Sequence, residues 1–197
     1  MGRHLRLEQL AQESMDFLIP FFSEFYSISI RRPLVRAPVW KKERDFSGLF
    51  TPEGRNGLIE LNRQHCNIEK GYHGVVAHEL GHAAEYQHHK TYFNPIEDKE
   101  KDFIYDALRE GIAMEFERAG LGGLLEAEII TKQQFDAGMH SYNNTLSYSS
   151  VFSLGWSMLS FLYVKAEMRE IICSPEKYFN GLMSRYGKEI NSILKKV

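Results

Sequence analysis

The chain has 197 residues, of which 43% are hydrophobic and 25% are charged, and its formal net charge is -2. These values are typical of a globular protein with one domain and a substantial core. They exclude a general electrostatic attraction to nucleic acid or to anionic membranes. The two cysteines, Cys66 and Cys173, lie far apart and form no CxxC pair, so the sequence predicts neither a disulfide framework nor a thiolate metal site.

The N-terminal half is predicted to combine a helix with a small sheet. Residues 5–26 show the spacing of an amphipathic helix, with Pro20 as a break or kink. We assign no role to residues 1–44 and place the functional core in residues 45–197. The two parts are expected to form one compact domain. Residues 45–62 place two short apolar runs around the turn TPEGRNG, which predicts a β-hairpin.

The C-terminal half is predicted to be helical. A helix at about 69–89 is followed by a polar loop centred on Asn94-Pro95 and a second helix at about 98–119. Gly120, Gly122 and Gly123 are expected to end that second helix. Two more helices are predicted near 148–172 and 175–195, so the expected fold class is α+β.

The sequence also predicts a cytoplasmic protein. Residues 1–17 are interrupted by charges and lack the apolar centre of a secretory signal. The longest mostly apolar run, at 151–164, is shorter than the roughly 20 residues needed to span a bilayer. We therefore expect no membrane partner and no nucleic-acid partner.

Residues 78–82 read HELGH, which is the HExxH pattern of zinc hydrolases. Four-residue spacing on a helix sets His78 and His82 on one face, where both imidazoles can bind one ion. Glu79 follows the first ligand directly and can deprotonate a water held by the metal without filling the coordination sphere. A catalytic zinc needs a third protein ligand, and the sequence offers two candidates.

The first candidate is His88, which stands at the position of the third histidine in the HExxHxxGxxH pattern of metzincins. That pattern needs a glycine to turn the chain, and Glu85, a good helix former, occupies its place. If the helix continues, His88 lies about 15 Å along the axis from His78 and cannot reach the ion. His88 and His89 are then an exposed pair near a helix end.

The second candidate is Glu110, in the sequence REGIAMEFER at 109–118. The EGIA tetrapeptide after an HExxH helix resembles the second signature of gluzincin metallopeptidases. This resemblance implies a zincin-like fold, with a small N-terminal sheet with an edge strand, an active-site helix and a helical C-terminal half. It implies one zinc ion per chain, held by His78, His82 and Glu110, with Glu79 as general base in the hydrolysis of peptide bonds.

Other features of this clan match less closely. Glu117 occupies the place of a further glutamate in the stretch NEGxAxYxE of the large zinc aminopeptidases, where it would orient a histidine ligand. A solvated surface charge is the alternative for Glu117. Arg109 replaces the usual asparagine before the ligand, and the gap between the two motifs is longer than in those enzymes.

The resemblance also implies a donor for the oxyanion and an edge strand for the substrate. We choose Tyr148, expected at the start of a helix, as the catalytic donor, with Tyr142 and His140 as rivals. The strand GLIELN at 57–62 resembles the zincin edge strand that pairs with an extended peptide or protein substrate.

Three alternatives to a gluzincin peptidase stay open at this point. One is a metzincin-like hydrolase with His88 as third ligand. Another is a zinc enzyme that cleaves something other than peptides. The last is a non-catalytic module that keeps the fold and binds a partner, although an intact Glu79 argues against it.

Overall fold

A computed structural model of the chain describes residues 3–38, 47–66, 72–89, 98–148, 150–164 and 166–195. Over these residues the helices are α1 (Arg3–Phe25), α2 (Tyr72–His88), α3 (Lys99–Glu126), α4 (Lys132–Tyr148), α5 (Ser150–Tyr163), α6 (Met168–Cys173) and α7 (Phe179–Leu194), and a short 3-10 helix covers Pro175–Tyr178. The strands are β1 (Leu34–Arg36), β2 (Gly48–Thr51) and β3 (Leu58–Leu61). None of the helices in the described ranges is both long enough and apolar enough to cross a membrane.

The fold is α+β, mainly helical with one small mixed sheet of three strands in the order β1-β3-β2. β2 and β3 pair antiparallel through Gly48 and Leu61, which confirms the predicted hairpin. β1 pairs parallel with the other side of β3. The expectation that residues 57–62 form an edge strand is therefore wrong, because β3 lies between two neighbours. Of the strands in the described part of the chain, β1 and β2 are the edges.

Helix α1 belongs to the same hydrophobic core as the two motif helices. Met15, Leu18 and Phe22 are fully buried, and α1 packs against both α2 and α3. Pro20 lies on the exposed side of α1 and does not break the helix. The α1 helix ends where Ser27 adopts a φ of 53°, and the N–H of Ile28 donates to the carbonyl of Ser23 at 3.2 Å. This is the Schellman end of a helix.

Helix α3 begins as predicted but runs through its glycines. The carboxylate of Asp98 accepts hydrogen bonds from the first backbone N–H groups and so begins the helix. The prediction that the glycines end α3 is wrong, because two of them serve helix packing: a Cβ on Gly120 would lie 2.8 Å from the Cβ of Ala77, and one on Gly123 would lie 2.8 Å from the ring of Phe21. The helix continues to Glu126, and Glu128 then turns the chain with a φ of 58°.

The C-terminal half is helical, with boundaries that differ from those predicted. Helix α4 was not predicted at all, and the single helix expected over 148–172 consists of two helices, α5 and α6. The last helix lies where the sequence predicts it. The loop centred on Asn94-Pro95 falls outside the described residues.

Candidate metal centre

The two motif helices cross at very short range because both carry a small residue at the crossing. A Cβ added to Gly81 of α2 would lie 2.8 Å from the Cα of Ala113 of α3, so glycine is what permits this approach. Gly81 lies between His78 and His82 in the sequence, and Ala113 lies one helical turn after Glu110. The crossing therefore brings the side chains of the two motifs to one point.

The predicted ligands His78, His82 and Glu110 form one cluster, in which one ligand atom from each lies within 4.8 Å of the other two. The Oε2 atom of Glu110 is 3.4 Å from Nε2 of His78 and 3.7 Å from Nε2 of His82. Both distances exceed the 2.7–2.9 Å that is usual for a hydrogen bond between charged groups.

These distances fit a tetrahedral zinc ion. Zinc lies about 2.0–2.2 Å from imidazole nitrogen and carboxylate oxygen, and two ligands of a tetrahedron are then about 3.4 Å apart. The observed separations of 3.4 and 3.7 Å are close to this value. Two imidazoles and one carboxylate are also a ligand set that catalytic zinc sites use. The donor atoms of this chain thus suit zinc in number and chemistry, and in the two separations from Glu110.

Each histidine of the cluster also faces a second carboxylate with its other ring nitrogen. Nδ1 of His78 is 3.3 Å from Oε2 of Glu117, and Nδ1 of His82 is 3.7 Å from Oε2 of Glu85. Glu85 is almost fully buried, with 2% of its surface exposed. A carboxylate that accepts a hydrogen bond from the second ring nitrogen orients a ligand imidazole and makes it more basic; at 3.7 Å, Glu85 is near His82 but does not form this bond. Glu117 thus contacts a predicted ligand, as the resemblance implies.

The charges of the cluster support one another. Burial alone would lower the pKa of His82, but Glu110 and Glu85 outweigh it and raise that pKa to about 9. In the same way, Glu110 and Glu117 raise the pKa of His78 above its usual range in spite of burial. Burial would raise the pKa of Glu110, yet the two histidines hold it well below its usual range. Binding of a cation at these nitrogens must therefore displace protons.

Glu79 lies between the cluster and the sheet. Its side chain is 5% exposed, and burial raises its pKa, with His78 and His82 acting in the opposite direction. A Cβ on Gly48 of β2 would lie 2.6 Å from Oε1 of Glu79. The backbone of β2 thus passes directly over the carboxylate, and a residue with a side chain at position 48 would displace it.

Helix α5 forms a third side of the site. The backbones of α3 and α5 touch, since a Cβ on Gly155 would lie 1.9 Å from the carbonyl oxygen of Ala107. One turn before Gly155, the ring of Phe152 lies 6.0 Å from the ring of His78. An aromatic wall beside the cluster restricts the access of water and lowers the local dielectric.

The structure does not bring the other predicted residues into the cluster. His88 lies at the end of the unbroken helix α2 and donates from Nε2 to the carbonyl of Ser29 at 2.7 Å. His140 is exposed and contacts Asn144. Tyr148 ends α4, so the expectation that it begins the following helix is wrong, and its side chain lies outside the described part of the structure.

Tyr142 is buried, and its hydroxyl has no hydrogen-bond partner among the described residues. Burial raises the pKa of this hydroxyl, and the nearby charges of Glu115 and Glu117 raise it further. Its ring meets that of Trp156 edge to face at 6.0 Å. Tyr142 is thus a buried donor held between α4 and α5.

Glu85 and Phe152 contribute to the site, although the sequence analysis did not find them. Glu85 could have been found from its spacing, because it follows His82 by three residues and therefore shares its helix face. Phe152 comes from a distant helix, and no local signal points to it. Comparison with protein-family models, with curated proteins and with solved structures gave no match for this chain.

Proposed function

We propose that this chain is a zinc-dependent metallopeptidase with a zincin-like fold of the gluzincin type, with one zinc ion held by His78, His82 and Glu110. The observation that carries the proposal is the position of Glu79, a buried carboxylate beside a cluster with three ligands. Structural zinc sites are closed by four protein ligands, whereas catalytic sites leave one position for water. Among the described residues, the cluster offers three ligands and an adjacent base.

Glu79 acts as the base of the proposed reaction. A zinc ion at this cluster would supply a Lewis acid that lowers the pKa of water and polarises the substrate carbonyl. Glu79 takes the proton from the attacking water and returns it to the nitrogen of the leaving group. Its raised pKa makes it a better proton acceptor near neutral pH than an exposed glutamate.

The sheet edge beside Glu79 supports peptides as the proposed substrate class. Strand β2 passes over the carboxylate, and within the described ranges it pairs with β3 on one side. An extended peptide that adds to its outer edge would place its backbone next to Glu79 and the cluster. In this proposal β2, and not residues 57–62, takes the place of the substrate-binding edge. Such pairing uses main-chain hydrogen bonds and gives little sequence preference.

The donor to the oxyanion is proposed to be a tyrosine at the end of α4 or within it. Tyr148 remains our choice from the resemblance. Tyr142 is a rival, and its buried hydroxyl has no hydrogen-bond partner among the residues that the structure describes.

We also infer that the protein works in a reducing compartment such as the cytoplasm. Cys66 and Cys173 are both unpaired thiols. Cys66 is buried and donates to the carbonyl of Ser47 at 3.0 Å, and burial raises its pKa to about 12. The thiol therefore stays protonated and unreactive.

The test is Glu79→Gln, assayed for both zinc and turnover on the same sample. We expect about one zinc per chain by metal analysis, because Glu79 is not a ligand, and a loss of at least about 10² in the cleavage of casein or a fluorogenic peptide. The wild-type activity should be inhibited by phenanthroline and restored by zinc. Glu126→Gln, an exposed glutamate at the end of α3, is the matched control and should keep full activity.

Two outcomes would contradict the proposal. Near-normal turnover in Glu79→Gln would mean that Glu79 is not the base. A wild-type protein that binds zinc tightly but cleaves no peptide in a diverse library would favour a partner-binding module with the same metal site.

A further inference from the structure

A cavity of about 460 Å³ lies away from the metal cluster, beside the C-terminal end of α1. Its lining includes the aromatic residues Phe25, Tyr26 and Tyr163, the carboxylates Glu115 and Glu167, and Met168. The volume is in the range of pockets that bind small molecules. Its chemistry, with aromatic rings and carboxylates together, is that of a site for an organic cation.

The cavity is separate from the proposed active site. Glu115 and Glu110 lie on the same helix, five residues apart, which turns Glu115 by about 140° around the axis and moves it about 7.5 Å along it. Glu110 therefore faces α2, while Glu115 contacts Tyr26 at the end of α1. A ligand in this cavity would lie on the other side of α3 from the metal cluster.

Two of the aromatic rings beside the cavity, Phe25 and Tyr163, are accessible, whereas Tyr26 is 6% exposed and stacks against Phe22 and Phe116. The rings of Phe25 and Tyr26 pack edge to face, at 83°, with their centres 4.9 Å apart, which fixes the ring of Phe25 at the rim of the cavity. Phe25 is 60% exposed and Tyr163 is 37% exposed. Contiguous apolar surface that is exposed to solvent often marks a site for a ligand or a partner. The face of an aromatic ring attracts a cation through its quadrupole.

The charges of the lining favour a cation over an anion. Glu115 is 4% exposed and is paired with Arg118, whereas Glu167 is exposed at the start of α6 and caps no backbone group with its side chain. Two carboxylates against one guanidinium leave a net charge of -1 among the described residues at this place. Lys165, which is close in sequence, lies outside those residues.

The hydrogen bonds of Glu115 indicate which kind of cation fits. Its carboxylate already accepts from the hydroxyl of Tyr26 at 3.2 Å and from two nitrogens of Arg118 at 2.8 Å each. A carboxylate has about four acceptor sites, so Glu115 has little capacity left for the three N–H donors of a primary ammonium. A quaternary ammonium needs no acceptor, and aromatic rings with a nearby negative charge are sufficient to bind it.

We propose that this cavity binds a quaternary ammonium group. The group can come from a small molecule of the choline type or from a trimethylated lysine of a protein chain, and the chemistry at the cavity is the same. The exposed side chain of Val164 and the row of rings Phe17, Phe21 and Phe25, stacked at 5.6 and 5.5 Å, extend the apolar surface beyond it. The proposal does not depend on the metal cluster or on peptidase activity.

The test compares choline with its neutral isostere 3,3-dimethylbutan-1-ol by calorimetric titration of the full chain. The two ligands have the same shape, so a preference of about tenfold or more for choline measures the contribution of the charge. A trimethyllysine peptide and its unmodified form make up the second arm. Tighter binding of the peptide than of choline would identify a protein source, and the reverse would identify a small molecule.

Variants locate the binding. Phe25→Leu and Tyr163→Leu keep the apolar surface but remove a ring, and each should weaken choline binding about threefold to tenfold without changing the binding of the neutral isostere. Glu167→Gln should weaken choline in the same direction. Phe135→Leu, a half-buried ring on α4 that does not line the cavity, is the control and should have no effect.

The proposal is wrong if choline and its isostere bind equally, or if neither choline nor the trimethyllysine peptide binds. It is also wrong if choline binding survives unchanged in both ring variants. Because Phe25 and Tyr163 are exposed, both variants should fold, and unchanged thermal unfolding would confirm this.

Discussion

The crossing of α2 and α3 at Gly81 should govern both the stability of the chain and the geometry of the metal cluster. We predict that Gly81→Ala forces the two helices apart, because the new Cβ would lie 2.8 Å from the Cα of Ala113. Carbon atoms are at optimal separation at about 3.5–4.0 Å, so the backbones must move by about 0.7–1.2 Å. Crowding of this kind in a packed core costs about 1–3 kcal/mol of unfolding free energy.

A matched control separates this clash from the intrinsic helix preference of alanine. Gly122 is also inside a helix, but a Cβ there meets nothing within 4 Å. Gly122→Ala should therefore raise the free energy of unfolding by about 1 kcal/mol. Gly81→Ala has the same gain from helix preference and the additional cost of the crossing. The difference between the two variants, measured by urea unfolding at pH 7.5, should be about 1–3 kcal/mol.

The same displacement should weaken zinc binding in Gly81→Ala alone. The separations of 3.4 and 3.7 Å between Glu110 and the two histidines would increase to more than 4 Å, and a ligand set about 1 Å too wide holds its metal poorly. We expect a loss of at least about tenfold in zinc affinity, measured by competition with a chromophoric chelator. If Gly81→Ala unfolds like Gly122→Ala and keeps wild-type zinc affinity, the close crossing does not determine the site.

Two more predictions concern buried titratable groups. Glu85→Gln should lower zinc affinity about tenfold, because it removes the charge that faces Nδ1 of His82, and an unchanged affinity in the same chelator assay would contradict this role. Burial lowers the pKa of His73 to about 4 in the folded chain, whereas its ordinary value in the unfolded chain is near 6.5. As the pH falls, the unfolded chain therefore protonates His73 before the folded chain does. The contribution of His73 to the free energy of unfolding should be fully present above pH 6.5. It should fall as the pH drops toward 4, by about 2 kcal/mol at pH 5. His73→Gln should lose this part of the pH dependence. If the urea midpoint changed by the same amount between pH 7.5 and pH 5 in both proteins, His73 would not be the source.

The sequence predicted those features that depend on neighbouring residues. The hairpin turn needs glycines, and Gly54 and Gly57 indeed have φ values of 62° and 83°. The extent of the motif helix and the facing positions of His78 and His82 follow from helical periodicity. The approach of Glu110 was predicted from the resemblance, and the distances to both histidines agree with it.

Features that depend on contacts between distant segments were not predictable in this way. From the sequence alone, a glycine inside a helical pattern predicts the end of the helix. Gly120 instead lies in a helix interior, because it packs against Ala77 of another helix. In the same way, the sequence around β3 predicts an edge strand. The strand is central because β1, more than twenty residues earlier in the chain, pairs with it. These errors share one cause: the decisive contact comes from another part of the chain.

Glu85 shows how one residue can favour one ligand geometry over another. A third histidine at position 88 would need a sharp turn near position 85, where the chain has a residue that prefers helix. The helix therefore continues, and His88 is held against Ser29 at its end. The carboxylate of Glu85 is on the same helix face as His82, and its Oε2 lies 3.7 Å from Nδ1 of the imidazole. The residue that keeps the helix straight and His88 away from the cluster thus also places a carboxylate beside His82, and both effects are compatible with the proposal that Glu110 is the third ligand.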